Sequence, residues 1–153
     1  MYEQIITLLN REEQHLDHSL IQHQRERYSA EQLVKLRQDY PGIPEEYLTY
    51  LSEIGEGGIL DELFTIFGEP VDPEELLDES LHEFLDEETK LLQFGTTHAG
   101  IALVFLPEEG WEVGFLYHDD LAEVERTEMT FRKFIYDRVL ELYPDSGSAD
   151  VID

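Results

Sequence analysis

The side chains that could do chemistry in this sequence are mostly carboxylates, and they are concentrated in one segment. Residues 38–89 contain 17 Asp and Glu residues and no Lys or Arg over 52 consecutive positions. Clustered carboxylates attract cations, so this segment predicts a surface for a basic partner, with a role in solubility alone as the alternative. The acidic residues predicted to contact that partner are Asp61, Glu62, Glu74, Glu75, Asp78, Glu79 and Glu83.

Two other groups of side chains could bind a metal ion, but neither forms a complete pattern. His15 and His18 lie three residues apart near Glu12, with no further ligand cluster beside them, and His118 precedes two aspartates in a typical polar turn. The calcium-loop, nucleophile-elbow, P-loop, dinucleotide and zinc patterns are absent from the sequence. The sequence therefore predicts no catalytic residue, no metal site and no cofactor, and it favours a binding protein over an enzyme.

One aromatic residue is a further candidate for partner binding. Trp111 stands at the start of an alternating run in which residues 111, 113, 115 and 117 share one strand face. That face is expected to be core. A tryptophan at the edge of a hairpin is also a common binding hot spot, so Trp111 joins the predicted partner-binding residues. The segment 55–63 is the other place where an interface is considered.

The overall charge excludes several classes of partner. The formal net charge is −26 at pH 7, which disfavours binding to nucleic acid and to anionic membranes. The chain has no cysteine, and no apolar run approaches the roughly 18 residues of a membrane span. The N-terminal residues lack the basic start and apolar stretch of a signal peptide. A cytoplasmic protein is therefore expected.

The elements that position these residues can be predicted from periodicity and end signals. One or two helices are predicted over 3–27, a second helix from Ser29 with a buried side at Ala30, Leu33 and Val34, and a third from Pro44 to Gly55. A turn follows at glycines 55, 57 and 58. A helix is also predicted around 74–85, and the clearest helix runs from Thr130 to Tyr143.

The strands predicted from the sequence lie at 63–67, 91–94, 101–106, 112–117 and 121–126, with Gly95 and Gly100 bracketing one turn. This order predicts an α+β fold with a single, mostly antiparallel sheet of four to six strands and helices packed on one side. The predicted organisation is an N-terminal helical extension (1–28), an α+β domain (29–143) and an acidic C-terminal tail (144–153).

Two local patterns and their order resemble the SUKH superfamily, the Smi/Knr-like proteins. The first is IPEEYLTYL at 43–51 leading into Glu56-Gly57-Gly58, and the second is Thr130-Phe131-x-x-Phe134-Ile135 at the closing helix. Between them, 94–103 is similar to the family's glycine-punctuated hairpin. Glu56 stands where the family has Asn, and the segment 1–27 is additional. The resemblance implies a SUKH-like fold without common catalytic residues.

The function that this resemblance implies is immunity, because many bacterial members bind and neutralise a polymorphic toxin, often a nuclease. Together with the acidic segment, it predicts a non-enzymatic protein that binds a basic cognate toxin domain. A regulatory interaction module of the Smi/Knr type without a toxin is the first alternative. An enzyme acting on a cationic substrate is the second.

Overall fold

The strands of this chain form one antiparallel sheet flanked by helices, which confirms the α+β class. The computed structural model describes residues 1–12, 25–59, 63–76, 80, 83, 89–117 and 120–142. The strands are β1 (Arg25–Glu26), β2 (Glu56–Ile59), β3 (Phe64–Val71), β4 (Leu92–Thr97), β5 (Ala102–Leu106), β6 (Glu112–Tyr117) and β7 (Asp120–Arg126). The helices are α1 (Glu3–Glu12), α2 (Ala30–Asp39), α3 (Glu45–Glu53), α4 (Pro73–Leu76) and α5 (Phe131–Leu142), with a 3₁₀ turn at Pro107–Glu109.

The sheet is a meander in which each strand pairs with the next strand along the chain, in the order β1 to β7. The predicted range of four to six strands is wrong, because the described residues form seven. Both missed strands lack an apolar alternation. Arg25–Glu26 has two charged residues, and Gly57 and Gly58, predicted to form a turn, lie in β2.

The main core lies between one face of the sheet and the helices. Helix α5 buries Phe131, Phe134, Ile135 and Val139, as predicted, and Phe134 is 1% exposed. Tyr47 on α3 contacts the Phe131 ring edge to face, with the ring centroids 5.3 Å apart. Aromatic side chains from α3, α5 and the sheet therefore form one packed layer, and its rings prefer such edge contacts.

The opposite face of the sheet is also buried at its centre. A second cluster there contains Leu91, Ala102, Val104, Leu106 and Leu116. Strand β5 contributes to both clusters, because alternate side chains point to opposite faces. This explains why all five residues of β5 are apolar and buried.

The helix ends follow the predicted signals more closely than the helix faces do. Ser29 and Gln32 form the predicted capping box at the start of α2, and the backbone nitrogen of Gln32 lies 3.3 Å from Ser29 Oγ. The buried residues of α2 are Leu33 and Leu36, whereas Ala30 and Val34 are exposed. The predicted buried face of this helix was therefore partly wrong.

The N-terminal segment contributes to the same core as the rest of the chain. Ile5, Leu8 and Leu9 of α1 are buried in the main cluster, together with Tyr2. The Tyr2 hydroxyl donates to the Glu46 carbonyl oxygen at 2.6 Å, which ties the N-terminus to α3. The helix predicted over 3–27 is confirmed for Glu3–Glu12 and is wrong at 25–26, where β1 lies; residues 13–24 are outside the described ranges.

One further prediction needs correction in the middle of the chain. Gly95 lies inside β4 and does not bracket a turn, and the β4–β5 turn falls at residues 98–101. Within the helix predicted around 74–85, the structure describes a short helix at Pro73–Leu76. The tail 144–153 lies outside the described residues. None of the helices described is long and apolar enough to cross a membrane.

Candidate functional site

The described members of the predicted acidic site are exposed. Glu74 and Glu75 lie on α4, and Glu83, further along the chain, has a 3₁₀ conformation. Asp61, Glu62, Asp78 and Glu79 are outside the described residues. The structure therefore places three of the seven acidic residues at the surface, as a partner-binding role requires.

These exposed carboxylates form no ion pair with a described Lys or Arg residue, while Glu69 accepts a hydrogen bond from the Tyr40 hydroxyl at 3.3 Å and acts at longer range on Lys35. All ten Lys and Arg residues fall in the described ranges, and the ion pairs found there use other acids: Glu12, Asp39, Glu45, Glu109 and Glu141. Among the described residues, no Lys or Arg side chain lies within 4 Å of the carboxylates of Glu69, Asp72, Glu74, Glu75 or Glu83. The negative charge of this surface is therefore available to a partner.

A cleft of about 950 Å³ opens beside this acidic surface, at the outer part of the sheet. Ile66 is the last residue of β3 that pairs with β2. Strand β3 continues beyond it, and residues 67–71 form one wall of the cleft. Strands β1 and β2 form the other side. The residues that line the cleft are Arg25, Glu26, Tyr28, Glu56, Gly57, Thr65, Ile66, Phe67, Gly68, Glu69, Val71 and Leu76.

Two tyrosines from the helical layer hold this extension of β3 in place. The Tyr47 hydroxyl donates to the Phe67 carbonyl oxygen at 2.5 Å, and the Tyr40 hydroxyl donates to the Pro70 carbonyl oxygen at 2.9 Å. Both bonds satisfy backbone carbonyls of β3 that lie beyond its register with β2 and within the irregular stretch of its pairing with β4. The wall of the cleft is therefore fixed by α3 and by the α2–α3 connection.

The base of the cleft brings a phenol and a carboxylate against a glycine. The Tyr28 hydroxyl donates to Glu56 Oε2 at 3.4 Å. A Cβ atom at Gly68 would overlap both of these oxygen atoms. Gly68 is therefore required for the close approach of Tyr28 and Glu56 to β3.

The charges around Tyr28 change its acidity. Burial raises the pKa of Tyr28 to about 12, helped by the charge and hydrogen bond of Glu56 and by the charges of Glu69 and Glu26. All three of these carboxylates line the same cleft as Tyr28. The hydroxyl stays protonated at neutral pH and is a hydrogen-bond donor and acceptor there.

The remaining lining of the cleft combines one base with apolar surface. Arg25 Nη1 lies 3.5 Å from the Gly58 carbonyl oxygen, so its guanidinium is directed to the backbone of β2. Val71 is apolar and partly exposed, Leu76 on the rim is 55% exposed, and the Ile66 side chain is buried in the core. The cleft therefore offers negative charge and a hydrophobic wall to the same ligand.

Trp111 lies elsewhere and is partly buried. Its ring contacts the Phe105 ring edge to face at a centroid distance of 5.5 Å, and its Nε1 would be 3.0 Å from a Cβ at Gly42. The Trp111 amide donates to the Leu106 carbonyl oxygen and closes the β5–β6 connection. Trp111 thus supports the hairpin and the α2–α3 connection, and its role in partner binding stays a prediction.

The chemistry available in the described cleft is the binding of a cation. The described residues include no group of three or more His, Asp or Glu placed to hold a metal ion. Sequence reasoning missed Tyr28, Glu26 and Gly68, because they come from separate segments joined by strand pairing. The one local signal was Glu56 before Gly57, in the segment 55–63 that was considered as an interface.

Comparison of the chain with known proteins supplies no relative from which a function could be transferred. No protein-family model matches it, and neither a curated protein nor a solved structure does. The resemblance to the SUKH superfamily therefore stays a prediction, and the function has to be argued from the chemistry of the cleft and the acidic surface.

Proposed function

We propose that this protein is a non-enzymatic immunity protein that binds and neutralises a basic toxin domain. The observation that supports this proposal most directly is the set of exposed acids Glu69, Asp72, Glu74, Glu75 and Glu83, none of which has a Lys or Arg partner within 4 Å among the described residues. If these acids served only the structure of the protein, we would expect Lys or Arg residues of the same chain beside them. Their excess charge suits a positively charged partner instead.

The mechanism is occlusion. A nuclease toxin binds phosphate through surface Lys and Arg side chains. Acidic side chains that pair with those residues would block substrate binding without any chemistry of their own. The same pairing would accelerate encounter, because opposite charges steer two proteins together at low salt.

Affinity would come mainly from the less polar part of the same surface. Leu76 is exposed at the rim of the cleft, directly after the acidic residues of α4. A few anchors of this kind usually carry most of the binding energy, while surrounding charges set the rate and the choice of partner. The arrangement of an apolar rim beside exposed acids favours a protein partner over a small ion.

The proposal is tested by charge reversal on the described part of the acidic surface. We expect Glu74→Lys/Glu75→Lys/Glu83→Lys to lower the association rate by about tenfold or more at low salt, with a smaller change in dissociation. The immunity proposal predicts a toxin gene adjacent to that of this protein. The domain it encodes is the partner in this test, and the rates are measured by surface plasmon resonance at several salt concentrations.

The matched control is Glu108→Lys/Glu128→Lys/Asp137→Lys, which changes the net charge equally at exposed positions outside this surface. It should slow association by less than about twofold, because the field at the interface is then changed only at long range. Equal slowing by both triple variants would show that net charge alone acts. No binding to the neighbouring toxin would contradict the immunity function and leave the regulatory module as the alternative.

A further inference from the structure

We propose that the cleft at Tyr28, Glu56 and Gly68 is a specificity pocket for an arginine side chain of the basic partner. This inference rests on the proposed function, because it assumes that the partner presents basic residues to the acidic surface. It adds a defined subsite and a preferred residue type. It also makes recognition of the partner depend on the type of basic residue and not on charge alone.

The first observation is a pair of like charges placed directly opposite each other. Glu26 and Glu56 are register partners on β1 and β2. Like charges at opposite positions of an antiparallel pair destabilise the sheet. No Lys or Arg nitrogen of the described residues lies within 4 Å of either carboxylate. A cation supplied by a partner would remove this repulsion.

The second observation is the convergence of a third carboxylate and a phenol on the same cavity. Glu26 on β1, Glu56 on β2 and Glu69 on β3 line the same cleft as Tyr28, whose hydroxyl donates to Glu56. The groups are not close enough together to form a metal site in the described residues. A planar guanidinium with five donors is large enough to bridge carboxylates that a metal ion could not bind together.

The third observation distinguishes arginine from lysine. An arginine side chain can stack on an aromatic ring and pair with a carboxylate in a two-pronged geometry, whereas an ammonium group is a compact, strongly hydrated charge. Tyr28 supplies the ring and a protonated hydroxyl. Val71, which is partly exposed, and Leu76 supply apolar surface for the methylene groups of the stem.

The direct test uses small probes that need no knowledge of the partner. N-acetyl-arginine amide is titrated into the full chain, and the backbone amide signals are followed by heteronuclear NMR. We expect saturable shifts at Gly57 and Gly68. N-acetyl-lysine amide should bind about three- to tenfold more weakly, and the neutral isostere N-acetyl-citrulline amide should cause no saturable shift.

Two variants locate the site, and one variant controls for charge. Glu56→Gln removes the central carboxylate, and Gly68→Ala places a methyl group where the Tyr28 and Glu56 oxygen atoms lie. The overlapping atoms are the ends of flexible side chains, so the Gly68 variant is expected to fold, which its amide spectrum verifies. Both should lose arginine binding at least about tenfold, because the paired carboxylate is removed or displaced. Glu108→Gln, on the β5–β6 connection, should retain it.

The outcomes separate this inference from the proposed function. Equal binding of the arginine and lysine probes, or shifts centred on Glu74 and Glu75 instead of Gly57 and Gly68, would overturn the arginine pocket. In that case the toxin could still bind through the acidic surface. Arginine binding in the cleft without binding to the neighbouring toxin would overturn the immunity function and retain the pocket.

Discussion

Replacing Phe134 with alanine tests the packing on which the rest of the fold depends. Phe134 is 1% exposed, and its ring centroid lies 5.8 Å from that of Phe115 and 6.4 Å from those of Phe64 and Phe94. Burial of a phenylalanine in a rigid core makes Phe→Ala cost about 3–5 kcal/mol of unfolding free energy. The three aromatic contacts place Phe134→Ala in the upper part of that range, so we expect a cost of about 4–5 kcal/mol.

The measurement is urea unfolding followed by circular dichroism. The slope of the unfolding free energy against urea concentration should be the same in the variant and the wild type. In a domain of this size the same loss lowers the melting temperature by about 10–20 °C. Val34→Ala is the control, because Val34 is 46% exposed on α2 and should change stability by less than about 0.5 kcal/mol. A loss below about 2 kcal/mol in the Phe134 variant would refute the packing of α5 against the sheet.

Two further changes address the elements that shape the cleft. Gly55 has φ +103°, and a Cβ there would lie 2.7 Å from the Glu26 carbonyl carbon. Gly55→Ala should therefore cost at least about 2 kcal/mol of unfolding free energy, measured in urea, and increase hydrogen exchange in β1. Unchanged hydrogen exchange in β1 would contradict this contact. Alkaline pH should also destabilise the protein. Burial raises the pKa of Tyr28 from 10.0 to about 12, so the stability that depends on its protonated hydroxyl is present below pH 10 and is lost as pH rises to 12. Urea midpoints between pH 8 and 11.5 should fall less in Tyr28→Phe than in the wild type, and identical curves would refute this role.

The sequence predicted best where local chemistry and tertiary packing agree. Ser29 and Gln32 specify the start of α2 through a capping box that needs no other segment. The closing helix was predicted from the spacing of Phe131, Phe134 and Ile135, and the same spacing buries it against the sheet. In both cases the short-range pattern specifies the helix, and the tertiary packing agrees with it.

The predictions failed where pairing overrides local preference. Gly57 and Gly58 resemble a turn because glycine favours turns, yet they lie in β2 between β1 and β3. Arg25–Glu26 has no strand pattern and becomes a strand by pairing with β2. No window of the sequence contains both partners of such a pair, so neither strand could be predicted locally.

The same limit applies to the candidate site. Glu74, Glu75 and Glu83 could be predicted as exposed acids, because their segment contains no basic residue. The cleft could not be predicted, since its phenol and carboxylates come from β1, β2 and β3 and the residues before α2. Only the register of the sheet places Glu26 opposite Glu56.

That register gives a physical reason to regard the cleft as more than a solubility feature. Exposed acids spread over a surface keep a protein soluble at little cost to its fold. A pair of glutamates at directly opposite positions, beside a third carboxylate and a partly buried phenol, opposes the sheet that holds it. Solubility does not require that arrangement, because the same charges could lie apart. The proposed arginine pocket accounts for it, because a partner's cation would offset the repulsion, and local violations of this kind are expected at binding sites.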